Sequence, residues 1–253
     1  MAGSYGSETL HDGRYRLSFT VGGLLAAQGR IIASLFVNNG YLDNSERADG
    51  ADSQNDNIAC GQNVRENLYK DDAQKEDTRE QEIGKRILLV RQQALDDNVL
   101  YIRTQSANVR MVSEVLKRLS TLSDQEIQFL ADPDTMADDY RALMWVAMCR
   151  YYALVGQFAH EVLRDHYLLG MTTVTRNDYD RFILDKAMWH QELEELSSTT
   201  AAKLRSNLFK AMMEAGLIEQ HSDTLLPSLL SRSVTGILEK RPESFLYFPL
   251  REC

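Results

Sequence analysis

Apolar residues recur along most of this chain at helical spacing, not at the alternation of strands. From Thr20 to Asn39 the pattern predicts a helix, with Leu24, Leu25, Ile31, Ile32, Leu35 and Phe36 as its apolar positions. Asn39-Gly40 ends it, because glycine tolerates the left-handed conformation of a helix stop. Asp96 to Leu119 predicts a long helix: Val99, Ile102, Val109, Val112, Leu116 and Leu119 repeat at three, four and seven residues. "TLSDQEIQFLAD" predicts a short helix with Ser123 as N-cap and Glu126 three positions on, the spacing of a capping box. Tyr140 to Tyr167 is apolar on nearly all sides, the mark of a helix central to its domain. "TRNDYDRFILDKAMWHQELEEL" predicts a further helix. "STTAAKLRSNLFKAMMEAGLIEQ" predicts another, starting near Thr199 or Thr200 and stopping at Gly216. The remainder, with Pro227, Pro242 and Pro249, reads as short helices and turns. The expected fold class is all-α, in two helical bundle units. An N-terminal domain covers 1–170 and a C-terminal domain, a candidate helix-turn-helix-like part, covers 171–253.

Charge changes the picture in one region. The chain has 253 residues and a net charge of −9, a balance that repels nucleic acid and anionic membranes when spread evenly. It is not spread evenly. Residues 43–86 hold twelve acidic and seven basic side chains, a net of −5, and leave −4 for the rest. This stretch lacks periodic apolar positions and reads as an acidic flexible insert, with a charged helix an option near Asn67 to Lys85. Residues 1–14 read as a polar tail without the apolar core of a signal peptide. The three cysteines, Cys60, Cys149 and Cys253, are unpaired by spacing and suit a reducing compartment. The most apolar run, Ala142 to Gly156, is short and carries Arg150, whereas a membrane span needs about 20 apolar residues. A cytoplasmic location is expected.

Candidate chemistry is sparse. "SFTVGGLL" has paired glycines, but Leu24-Leu25 follow where a phosphate loop needs Lys and Ser or Thr. The favoured reading is a helix entrance with close packing at Gly22, Gly23 and Gly29, against an anion site at the helix start. His160, His166 and His190 have no zinc spacing. Cys149 lies in the apolar run, where a thiol is inert packing. Asp178 and Asp180 suit helix capping, and Arg150 is expected to pair with a carboxylate. No enzyme signature, metal site or cofactor is expected.

The basic residues are more informative. Arg103, Arg110 and Lys117 are seven apart, so on one helix they fall within about 40° of each other and form a ridge about 21 Å long. Arg118 extends it and Glu114 weakens it; a solvated face with local ion pairs is the alternative. In the later helix Lys203, Asn207 and Lys210 share a polar stripe beside Leu204, Leu208 and Met212, with Arg205 on the other flank. Phe209 and Met213 lie opposite, so this helix is expected to be buried on two faces. "MEAGLIE" resembles the end of a recognition helix in winged helix-turn-helix proteins, although "EQHSDTLLPSLL" is a poor wing.

Together, "YRLSFTVGGLL", "ALDDNVLYIRTQSANVRMVSEVLKRLSTLSDQEI", "LMWVAMCRYYALVGQFAHEVLRDHY", "KAMWHQELEELSSTTAAKLRSNLFKAMMEAGLIE" and "FLYFPL" resemble the BrxA family, small accessory proteins of bacteriophage exclusion (BREX) systems. The resemblance spans about Tyr15 to Leu250 outside the acidic insert and rests on the order of the motifs. It implies an all-α fold similar to the antitermination factor NusB and the capacity to bind double-stranded DNA. It also implies a place beside the other BREX proteins: a methyltransferase, an ATPase, a phosphatase-like protein and an AAA+ protein. Two functions follow as expectations. One is a non-enzymatic DNA-binding accessory using Arg103, Arg110, Lys117, Arg118, Lys203, Arg205 and Lys210. The other is a protein–protein adaptor that makes no DNA contact.

Overall fold

The computed structural model describes residues 14–42 and 84–251. The expected tail and nearly all of the acidic insert lie outside the described residues. The described chain is helical: α1 (Ala26–Asn38), α2 (84–96), α3 (Gln105–Leu119), α4 (Asp124–Ala131), α5 (Ala137–Tyr151), α6 (Ala153–Phe158), a π-helical segment (Ala159–Arg164) and α7 (Asp165–Leu168) come first. Then follow α8 (Arg176–Ala187), α9 (Gln191–Glu194), α10 (Ser198–Glu214), α11 (Arg232–Leu238) and a 3-10 turn (Pro242–Tyr247). Among the described residues the extended pairings are two isolated bridges, Thr173 with Thr224 and Ile218 with Leu225.

The apolar run does sit at the centre. Residues Ala142 to Arg150 of α5 are all buried, and α1, α3, α4, α10, α11 and the 3-10 turn pack on that helix. Gly29 permits a close approach: a Cβ there would lie 2.5 Å from Met144 Sδ. The run is not one helix, because Tyr152 turns to extended backbone and sends its hydroxyl to Glu114 Oε1 at 2.7 Å. Phe158 then gathers the rings of Tyr179, Phe182 and Phe209. One buried cluster runs from Tyr15 to Phe248 and includes residues on both sides of 168–178.

Arg150 pairs with buried Glu126 at 2.8 Å and donates to Ser244 Oγ at 2.8 Å, so the C-terminal turn is tied to α4 and α5. Glu126 also completes the expected capping box with Ser123. A second box, Thr175 with Asp178, opens α8. Burial alone would push the Asp178 carboxyl up, but the Thr175 hydrogen bonds, with His166 and Arg181, outweigh it and hold it below the usual range. Cys149 is buried and its thiol is pushed well up by desolvation, in keeping with inert packing.

Two helix boundaries differ from the periodicity, and both matter for the basic residues. The helix expected from Thr20 starts at Ala26, because Gly22 and Leu25 adopt left-handed backbone (φ 66° and 58°). Residues 14–25 form an irregular strap whose Phe19 and Leu24 are fully buried. The helix expected over Asp96 to Leu119 breaks between α2 and α3. Asn98 and Tyr101 are left-handed, and the Asn98 side chain bonds both the N–H and the C=O of Ile102, at 3.1 and 3.2 Å. That local ring competes successfully with the helix.

The strap is held by Arg118. Its Nη1 donates to the carbonyls of Gly23 and Leu24 at 2.8 Å each, and its Nη2 meets Glu114 Oε1 at 3.0 Å. Arg118 is fully buried and Glu114 nearly so. From the other side the Leu24 N–H donates to Glu214 Oε2 of α10 at 2.6 Å. Removing one member of a buried ion pair leaves the other charge uncompensated, at a cost of about 3–5 kcal/mol. Arg118→Met is therefore expected to lower the urea unfolding free energy by that amount. The double variant Arg118→Met/Glu114→Gln should recover part of it; an unchanged midpoint in the single variant would contradict the clamp.

Candidate nucleic-acid interface

Helix α10 presents two different faces. Ser197 caps it, its Oγ accepting the Thr200 N–H at 3.2 Å, and Leu204, Leu208, Phe209, Ala211 and Met212 are buried. Leu204, Leu208 and Met212 thus occupy one expected buried face and Phe209 the other, where Met213 is half-buried. The remaining face carries Thr199, Lys203, Ser206 and Lys210, all exposed. Their spacing of four, three and four keeps them within an arc of about 60° at 100° per residue.

The strap lies along one flank of this stripe. Asn207 Nδ2 donates to the Phe19 carbonyl at 3.0 Å, and Gly23 touches Lys210 and Glu214, leaving no room for a Cβ. Thr20 with Ser198, Thr199, Ala202, Lys203, Ser206 and Asn207 lines an open groove. Lys117 of α3 donates to Ser18 Oγ at 3.3 Å. Two basic stripes that are distant in sequence therefore meet one segment: Lys117, which also faces Glu114 at 3.8 Å, at Ser18, and Lys203 and Lys210 beside Thr20 and Gly23.

At the C-terminal end of α10, Gly216 turns the chain with φ 71°. The segment expected to be a poor wing forms a hairpin. Leu226 donates to the Leu217 carbonyl at 2.9 Å and Glu219 to the Thr224 carbonyl at 2.8 Å. Residues 172–174 add a third short extended piece, with Leu225 donating to Thr172 and Val174 to Asp223. The order is an extended piece, α8, α9, α10 and hairpin. The tip has His221 and Asp223 in left-handed backbone, a turn made without glycine and hence without its signal in the sequence.

The residues singled out from the sequence divide. Arg118 is corrected: its guanidinium is buried on the strap and Glu114, so it cannot extend a surface ridge. Arg103 is exposed but lies before Thr104, the N-cap of α3, so it is not on the helical ridge, which shrinks to Arg110 and Lys117. Arg205 gives both Asp180 oxygens a hydrogen bond, at 2.8 and 2.6 Å, and serves to join α10 to α8. Lys210 has Glu214 at 3.7 Å. Arg110 and Lys203 are exposed. Ser18, Thr20, Thr199 and Ser206, exposed beside these lysines, were not singled out, because a search for charge passes over hydroxyls. Among the described residues no group of three His, Cys, Asp or Glu is placed to hold a metal. None of their helices is long and apolar enough to cross a membrane.

The BrxA family model matches residues 62–242, from within the acidic stretch to the 3-10 turn. The chain belongs to the BrxA family. It is similar to two proteins called BREX protein BrxA. One, from Bacillus cereus (strain H3081.97), is 24% identical over 130 residues, which is 51% of this chain and 64% of that protein. The other, from Escherichia coli O9:H4 (strain HS), is 24% identical over 128 residues, 51% of this chain and 59% of that protein. The chain thus spans about three fifths of the BrxA relatives it matches. A solved structure of an uncharacterized protein from Magnetospirillum magneticum shares the fold. Its TM-score is 0.61 at 18% identity, over 92% of this chain and 96% of that one.

The Arg205–Asp180 pair is part-exposed, so solvent screening limits it to about 0.2–1 kcal/mol. In urea unfolding, Arg205→Ala and Asp180→Ala are each expected to destabilise within that range, and the double variant no more than the worse single. Full additivity would show that the two side chains do not interact.

Proposed function

We propose that this chain is a non-enzymatic accessory of a BREX anti-phage system that binds double-stranded DNA in the cytoplasm. The observation that carries this is the exposed stripe Thr199, Lys203, Ser206 and Lys210, set between the strap and a hairpin in winged-helix order. A helix so placed fits a DNA groove. The stripe offers ammonium and hydroxyl donors but no outward Arg, Asn or Gln to bracket a base edge, since Asn207 is spent on the Phe19 carbonyl. Such donors suit phosphate oxygens, the contacts that position a protein on a duplex. Lys117 and Ser18 extend the same face along the strap, and Arg110 continues along α3 from Lys117.

Other BREX proteins are the natural company of such an accessory, given the names of its relatives. The adaptor reading has an observation of its own, an exposed apolar cluster at the end of α8.

Fluorescence anisotropy of a 30-base-pair duplex tests the DNA reading. Binding should fall steeply with salt, because each neutralised phosphate adds about 0.9 to the log–log slope, and should be equal for unrelated sequences. Lys117→Glu/Lys203→Glu/Lys210→Glu should weaken it at least tenfold while the circular dichroism spectrum stays unchanged. No binding at low salt would leave the adaptor reading standing.

A further inference from the structure

The first half of the strap has an inner and an outer side. Tyr15 and Phe19 are buried and Leu17 packs against the core, whereas Arg16 is part-exposed and Ser18 and Thr20 are exposed. Burial thus alternates from residue to residue, and Arg16, Ser18 and Thr20 share the open side. Ser18 accepts from Lys117 at 3.3 Å, and Thr20 shares a groove with Lys203. Arg16 brings a charge of its own to this row.

The break at the end of α5 serves the same row. Where Tyr152 leaves the helix, the adjacent rings of Tyr151 and Tyr152 stand edge to face, 4.8 Å apart between centroids. Tyr152 donates to buried Glu114 at 2.7 Å and lies 3.3 Å from Ser18 Oγ. Tyr151 lies against Arg16, whose guanidinium carbon is 4.8 Å from the ring centre. A guanidinium stacked in this way is held by the negative face of the ring, while its N–H donors stay in its own plane.

Pairing sets Arg16 apart from its neighbours. Arg14 faces Glu192 and Glu195 at 3.8 and 4.0 Å, Lys117 faces Glu114 at 3.8 Å and Lys210 faces Glu214 at 3.7 Å. The Arg16 guanidinium makes no hydrogen bond or ion pair with any described residue. Its donors are unspent, and the arginine fork matches two phosphate oxygens at once. Before Arg16 the strap is pinned to α9, where Glu192 accepts the Tyr15 N–H at 2.6 Å. Arg16 is the last unpaired cation ahead of those carboxylates.

We propose that Arg16, positioned by Tyr151, contacts a phosphate of the duplex, so that DNA runs along the strap from the α10 stripe past Lys117 to Tyr151. This contact rests on the DNA reading of the α10 stripe. From Thr20 to Arg16 it lengthens the row by at most about 14 Å, four residues at about 3.6 Å each.

Duplex anisotropy across a salt series tests it, with urea unfolding of each variant as the check on folding. Arg16→Gln should weaken binding several-fold and lower the log–log salt slope by about 0.9, the share of one phosphate, with the unfolding midpoint unchanged. Tyr151→Leu should weaken binding, and Tyr151→Phe, which keeps the ring, should bind like the parent chain. Arg16→Gln added to Tyr151→Leu should lose no more affinity than Arg16→Gln alone. A parent chain that binds while Arg16→Gln keeps its affinity and slope would overturn the Arg16 contact and leave the DNA reading intact. Full additivity of Arg16→Gln and Tyr151→Leu would overturn positioning by the ring. A parent chain that binds no duplex at low salt would overturn both readings together.

Discussion

A guanidinium with no access to water must place its donors on fixed acceptors, and Arg118 places them on its own helix and on the strap. Burial of Phe19 and Leu24 and the Asn207 and Glu214 hydrogen bonds hold the rest of the strap. The strap precedes the first helix, and the carbonyls of Gly23 and Leu24 would be orphaned in the interior without the Arg118 side chain. With Arg118 on one side and Glu214 on the other, the strap becomes the joint between α3 and α10. Tyr152 leaves the helical run to hydrogen-bond Glu114, so α5 is tied to the same buried group. The paired glycines that suggest a nucleotide loop serve this joint: Gly22 supplies the turn and Gly23 the room for Lys210 and Glu214.

Much of the fold was legible because it rests on local chemistry. The capping box at Ser123 and Glu126, the helix stop at Gly216 and the burial of Ala142 to Arg150 all follow from residues close in sequence. The two helix boundaries were not legible, because the apolar spacing runs on through Asn98 while the side chain of Asn98 closes a ring with Ile102. The hairpin after α10 was hidden by its brevity and by left-handed backbone on His221 and Asp223 in place of glycine.

The candidate site was legible in composition but not in arrangement. Lysines 117, 203 and 210 were identified as surface charge, and they are exposed or part-exposed. That they meet one strap depends on contacts across more than 90 residues, which periodicity cannot reveal. Arg118 shows the opposite error: a helical wheel places it beside Lys117, but only the burial of Glu114 and the strap explains why it points inward. The exposed surface is also divided. The α10 stripe presents lysines and hydroxyls, whereas the end of α8 presents the exposed side chains of Leu184, Met188 and Trp189.

Hydrogen–deuterium exchange with and without a 30-base-pair duplex tests the central claim, that the strap and α10 form a single DNA-binding surface. The account predicts that DNA slows exchange together in residues 18–24, along 198–214 and in the 217–226 hairpin, with α8 near Trp189 unchanged. Protection of the α8 end without the strap, or no change anywhere at a saturating duplex concentration, would contradict it.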